Sequence, residues 1–222
     1  MNMSPTALAP PRQRIYARVM MDMFRNLSAT LLLTLLLSPA AIADEAQDKQ
    51  VEIGVKAYDD GDYQRAKDIL LPLAEAGHPK AMNMVGLMHY DTPVFPNDPV
   101  LECDWYERSA KAGFASGMYN LSICHNQGSG RMKDHTQMLY WRTMAANNGS
   151  TNAMINLASL DKSEGKDFRR WMLKAVEYGS SYAKVDLWLQ GYKEDVPDIT
   201  FRDILCVSWR ILILKGSFKA CD

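Results

Sequence analysis

Four cysteines, four histidines and a few paired carboxylates are the residues of this chain that could do chemistry. Cys103, Cys124, Cys206 and Cys221 form no C-x-x-C pair, so neither a zinc ribbon nor a thioredoxin-type site is indicated. His89, His125 and Asp161 recur at intervals of 36 residues and could form a metal-binding column. Equivalent helices in a stack lie about 9–10 Å apart, which is long for shared ligation. Packed, hydrogen-bonded histidines are therefore expected, with no metal. His78 and His135 fall in turns, and Asp59-Asp60 and Glu194-Asp195 read as solvated turn charges. No nucleophile elbow, no H-E-x-x-H and no P-loop is present in the sequence. Neither a catalytic residue nor a cofactor is expected, so the chain does not read as an enzyme.

The elements that would position these residues repeat. Trp105 and Trp141 are 36 residues apart, as are Asp98 and Asp134, and so are Gly77, Gly113 and Gly149. Four residues after each of these glycines stands a small residue (Ala81, Gly117, Ala153), and four further on an aliphatic one (Val85, Leu121, Leu157). The third copy keeps the pattern with a shorter loop, at Trp171, Gly179, Ala183 and Leu187. Each period reads as two helices. Helix A starts after the glycine; helix B carries the Trp and ends at the next glycine, whose freedom to adopt positive φ closes the helix. The turn between them, GSGRMKD at 128–134, offers Gly128 and Gly130 for a tight path and Asp134 as the cap of the next helix. Upstream, IGVKAYDDGDYQRA at 53–66 has the spacing of an opening helix pair.

This pattern, A-x-x-x-L-G, then G-x-G-x-x-x-D, then W-x-x-x-A-A-x-x-G, resembles the Sel-1-like repeat family, a longer relative of the tetratricopeptide repeat. The resemblance covers about residues 48–192. It implies an all-α fold: a right-handed α-solenoid of about four helix-turn-helix repeats. Residues 193–222 fit no repeat, and ITFRDILCVSWRILIL reads as a C-terminal capping helix over the last repeat. The first full repeat departs from the family. Its turn, DTPVFPND at 91–98, has two prolines and no glycine, which marks it as a specific surface.

The N-terminus reads as an export signal. Arg25 precedes the leucine-rich run Leu27–Leu37, and an A-x-A site follows at Ala41-Ile42-Ala43. The run falls short of the roughly 20 apolar residues of a membrane span. Met21 or Met23 would be a more ordinary start, leaving residues 1–20 untranslated. The expected domains are a 1–43 extension and signal peptide, a 44–192 repeat domain and a 193–222 cap and tail. Removing residues 1–43 leaves 21 Lys plus Arg against 25 Asp plus Glu, a net charge of −4. That balance argues against a nucleic-acid partner, and any membrane contact is transient, through the signal peptide. The expected compartment is the periplasm. There, an even cysteine count favours disulfides. Cys103 and Cys124 stand ten residues before and eleven after Gly113, so they can face each other across one helix pair. Cys206 and Cys221 can pair around Gly216.

The resemblance implies a non-catalytic module that holds a protein partner on the concave face lined by the A helices. Groove positions carried over from the tetratricopeptide fold fall at Val51, Tyr58, Asn83, Leu87, Tyr90, Tyr119, Ile123, Asn126 and Ile155. Within this class stand envelope adaptors, regulators and immunity proteins that neutralise secreted effectors. The alternative class is a cell-wall-related enzyme or a binder of β-lactams and other small ligands. Its cysteine-rich representatives place one cysteine per repeat, which this sequence does not.

Overall fold

The computed structural model describes residues 39–163 and 166–205, with side chains from residue 44 onward. The leucine run Leu27–Leu37 and both Cys206 and Cys221 lie outside the described residues. The chain divides into two compact units, Met1–Lys49 and Gln50–Asp222. The described part of the first is the start of helix α1 (Pro39–Asp59), whose opening turns carry Ala41-Ile42-Ala43. Residues 44–49 are exposed there, and Lys49 pairs with Glu45 at 2.7 Å. Among the described residues no helix is long and apolar enough to cross a membrane.

The second unit is a series of helices, each packed on the next. After the second half of α1 come α2 (Tyr63–Glu75), α3 (Pro79–Asp91), α4 (Pro99–Lys111) and α5 (Ala115–Gln127). Then follow α6 (His135–Asn147), α7 (Thr151–Ser163), α8 (Arg169–Glu177) and α9 (Ser181–Leu189), with a 3-10 turn at Lys193–Asp195. The 36-residue period is visible in the starts of α3, α5 and α7 and again in those of α4 and α6. α3, α5, α7 and α9 are the A helices; α2, α4, α6 and α8 are the B helices. Asp98 and Asp134 cap α4 and α6 by accepting from backbone N–H groups of the first turn. Besides packing on α4, α3 touches α5 directly.

Buried small residues set the spacing. Ala81, Ala145, Ala146, Ala153, Ala175 and Ala183 are fully buried. A Cβ on Gly86 would stand 2.7 Å from the Tyr106 ring, so that glycine lets α4 lie close on α3. The tryptophans do less of the packing than the sequence reading assigns them. Trp105 and Trp141 pack against the core but stay half-buried, whereas Trp171 is buried in it. Arg108 lies 4.0 Å over the Trp105 ring, so a cation covers part of that indole.

The two inter-helix turns differ in sequence but dock alike, each on the preceding B helix. In the glycine turn, Gly130 takes φ +64 and lies against the backbone of Pro99, and Arg131 reaches Asp104 at 2.5 Å and Glu107 at 2.7 Å. In the proline turn, Lys67 of α2 donates to the Val94 carbonyl at 3.0 Å and lies 4.3 Å over the Phe95 ring. His89 also stacks on Phe95 at 4.3 Å, with Nδ1 3.3 Å from the Pro96 carbonyl. The 91–98 turn is therefore anchored on α2 and α3, with Pro93, Pro96 and Asn97 left exposed. Phe95 occupies, one period earlier, the place of Arg131.

Residues after α9 are tied back to it. Val196 is buried in the core, and residues 201–205 are helical. Asp203 accepts from Ser181 Oγ at 2.8 Å, from the Thr200 amide at 2.8 Å and from the Thr200 hydroxyl at 2.7 Å, with Lys184 at 3.6 Å. Burial alone would raise the Asp203 pKa; the Thr200 and Ser181 hydrogen bonds and Lys184 outweigh it and hold it at about 2. A depressed carboxyl pKa stabilises fully above the ordinary value of 3.8 and loses that contribution as pH falls toward about 2. Hydrogen-exchange protection of residues 196–205 should fall across that window. Asp203→Asn should lower it at neutral pH, by about tenfold for one charge-assisted bond. Equal protection in the variant would break this account of how the segment docks.

Candidate functional site

A pocket of about 250 Å³ opens where α3, α4 and α5 meet. From α3 come Leu87 and Tyr90; from α4, Glu102, Cys103 and Tyr106; from α5, Asn120, Ile123, Cys124 and Gln127. Ser129 closes one side from the glycine turn. Cys103 and Cys124 form a disulfide across the pair, with Cα atoms 6.2 Å apart. This bond joins α4 to α5 directly behind the pocket and holds two of its walls together.

Three of the nine groove positions, Leu87, Tyr90 and Ile123, line this pocket. Tyr90 is 63% exposed at its edge. Two positions are corrected. Val51 is fully buried and belongs to the core of α1 to α3. Asn83 is buried too, because its side-chain carbonyl accepts from the Asn120 amide at 2.9 Å. One period on, the Tyr119 hydroxyl accepts from the Asn156 amide at 2.9 Å. Asn83 and Tyr119 thus serve as rungs between successive A helices. Ile155 is half-buried against the core. Asn126 is exposed outside the pocket lining. Tyr58 is half-buried and donates from its phenol to the Asp91 carboxylate.

Glu102 and Tyr106 come from helix B, where sequence reading placed only packing. They sit four residues apart on α4, with the Tyr106 phenol beside the Glu102 carboxylate. Burial raises the Glu102 pKa; the Tyr106 hydrogen bond opposes this and the charge of Asp91 adds to it. Burial, with Glu102 and Asp91 beside it, also pushes the Tyr106 phenol well above its ordinary range, so it stays a proton donor. No cation contributes to the setting of either group. The signal that could have revealed them is a break in the period: 36 residues on, Glu102 becomes Met138 and Tyr106 becomes Arg142. Arg142 is itself buried, and its Nε donates to Ser122 Oγ at 3.5 Å. Burial lowers its pKa.

The histidine column does not converge. His89 is engaged with Phe95 and Pro96, Asp161 pairs with Arg170 at 3.9 Å, and His125 Nδ1 is buried without a hydrogen-bond partner. Among the described residues there is no group of three or more His, Cys, Asp or Glu placed to hold a metal ion.

No protein-family model and no curated protein matches the sequence. Solved structures do match. A Sel1 repeat protein from Oxalobacter formigenes superimposes with a TM-score of 0.56 at 22% identity, over 67% of this chain and 61% of that one. A protective antigen of uropathogenic Escherichia coli strains, displaying an SLR fold, superimposes with a TM-score of 0.54 at 22% identity, over 79% of this chain and 40% of its own. The chain thus spans about three-fifths of the length of the first and two-fifths of the second. With the 36-residue helix pairs, the glycine turns and the linked A helices, these matches show that the chain adopts the fold of Sel1-like repeat proteins, the SLR fold.

Proposed function

We propose that the chain is a non-catalytic protein-docking module whose A-helix face, centred on the α3–α4–α5 pocket, receives a protein partner. The observation that carries this reading is Tyr90. A tyrosine 63% exposed, beside the half-buried Leu87 and Ile123 and the amides of Asn120 and Gln127, has the make-up of an interface anchor in a polar rim. The two solved repeat proteins support it through their fold alone. The export reading, resting on Leu27–Leu37 and Ala41-Ile42-Ala43, puts this activity in the periplasm. The partner is then an envelope protein or a secreted effector; in the second case the chain acts as an immunity protein.

The test is capture of the partner from a periplasmic extract by the tagged chain. Tyr90→Ala should weaken capture by about tenfold or more, the loss of one anchor residue. Tyr140→Ala, at a tyrosine 53% exposed on helix α6, should leave capture unchanged. Loss through Tyr140 and none through Tyr90 would move the docking surface elsewhere. Hydrolysis of a muropeptide or a β-lactam by the purified chain would overturn the non-catalytic half of the reading. Tyr119 is unsuited to this test, because removing its ring also removes the acceptor for Asn156.

A further inference from the structure

We propose that the α3–α4–α5 pocket is a subsite for one lysine side chain of the docking partner, with the Glu102 carboxylate as its counter-charge. This rests on the reading of the A-helix face as a docking surface.

Size favours a single side chain. At about 250 Å³ the pocket lies below the roughly 300–1,000 Å³ of sites that enclose whole small molecules. It suits a single side chain. Its lining is divided in the same way as a lysine. Leu87 and Ile123 offer apolar walls for a four-carbon stem, and Glu102 offers a charge for the head.

Charge points to a cation. Glu102 makes no ion pair among the described residues, and burial and the negative Asp91 both act against its charge; the Tyr106 phenol and its place in the first turn of α4 favour it without supplying a counter-ion. A half-buried carboxylate next to a second acid and without a cation costs stability. The repeat architecture does not demand it, since the equivalent residue one period later is Met138. A charge kept at such a cost, in a pocket, is satisfied when a ligand brings the opposite charge.

Geometry selects lysine over arginine. The Tyr106 phenol already stands against the Glu102 carboxylate and crowds its approach. A guanidinium binds best when both carboxylate oxygens accept in parallel. An ammonium is a point charge and needs only one free oxygen.

The experiment is a chemical-shift titration of the purified full chain, labelled at leucine and isoleucine methyl groups, with N-acetyl-lysine methylamide. Saturable shifts are expected at Leu87 and Ile123. N-acetyl-norleucine methylamide, with the same stem and no charge, should bind about tenfold more weakly, as one charge-assisted hydrogen bond is lost. Glu102→Gln keeps the acceptor for Tyr106 and should show the same tenfold loss for lysine at unchanged melting temperature or above. Glu75→Gln removes the same charge from exposed α2 and should have no effect. The proposal is overturned if norleucine binds as well as lysine, if Glu102→Gln binds like the parent, or if Glu75→Gln loses as much. Tighter binding of N-acetyl-arginine methylamide would overturn the choice of lysine. The two readings fail separately: the titration involves no partner, and the capture assay on Tyr90 involves no lysine probe.

Discussion

Gly130→Ala is expected to destabilise the repeat unit by about 3 kcal/mol, lowering the melting temperature by roughly 6–12 °C. Two costs combine. The backbone at 130 has φ +64, where any residue with a Cβ is strained. The added Cβ would also stand 1.8 Å from the Pro99 carbonyl oxygen and 2.4 Å from its carbon. Those are backbone atoms of the first turn of α4 and cannot swing aside. The turn would have to lift off α4, taking Arg131 from Asp104 and Glu107 with it. Gly113 is the internal control. Its φ is +89, but a Cβ there meets nothing within 4 Å, so Gly113→Ala should cost only the conformational strain, about 1 kcal/mol. Thermal unfolding of both variants checks this. Equal losses would mean that the Gly130–Pro99 contact does not hold the turn in place.

Removing the Cys103–Cys124 bond is the second change with a large expected effect. The bond closes a loop with a sequence separation of 21. Chain entropy alone assigns about 3 kcal/mol to a closure of that length. The double variant Cys103→Ala, Cys124→Ala should therefore melt roughly 6–12 °C lower. Reductant should shift the parent by a similar amount and leave the double variant unmoved. Because both cysteines wall the pocket, the variant should also lose partner capture at temperatures where it is still folded. An identical melting temperature of the parent with and without reductant would contradict this. The bond also fits the export reading, since such bonds persist in oxidising compartments.

Much of the fold can be read from sequence because the repeat imposes the same local demands three times. Glycine at 77, 113 and 149 closes a helix each time, and Asp98 and Asp134 cap one. The cysteine pair is legible for the same reason: ten residues back and eleven forward of one turn meet across an antiparallel pair. The docking face is only half legible. A register carried onto the A helices finds Leu87, Tyr90 and Ile123. It cannot tell which side chains are consumed between repeats, as Asn83 and Tyr119 are, or which lie in the core, as Val51 does. That depends on where the neighbouring helix stands. Glu102 and Tyr106 stay hidden because helix B reads as packing throughout, and their departure from the period shows only once the helices are aligned. The proline turn is half legible too. Its unusual composition suggests a surface and does not show that Lys67 and His89 both hold Phe95 in place.

The most direct test of the account is site-specific photo-crosslinking in intact cells, with a photoreactive phenylalanine analogue placed at Tyr90 or at Tyr140. Both positions are exposed, and they lie on an A helix and a B helix respectively. The docking account predicts a discrete crosslinked protein from position 90, absent from position 140 and lost under competition by unlabelled parent chain. A crosslinked partner from position 140 and none from position 90 would contradict it.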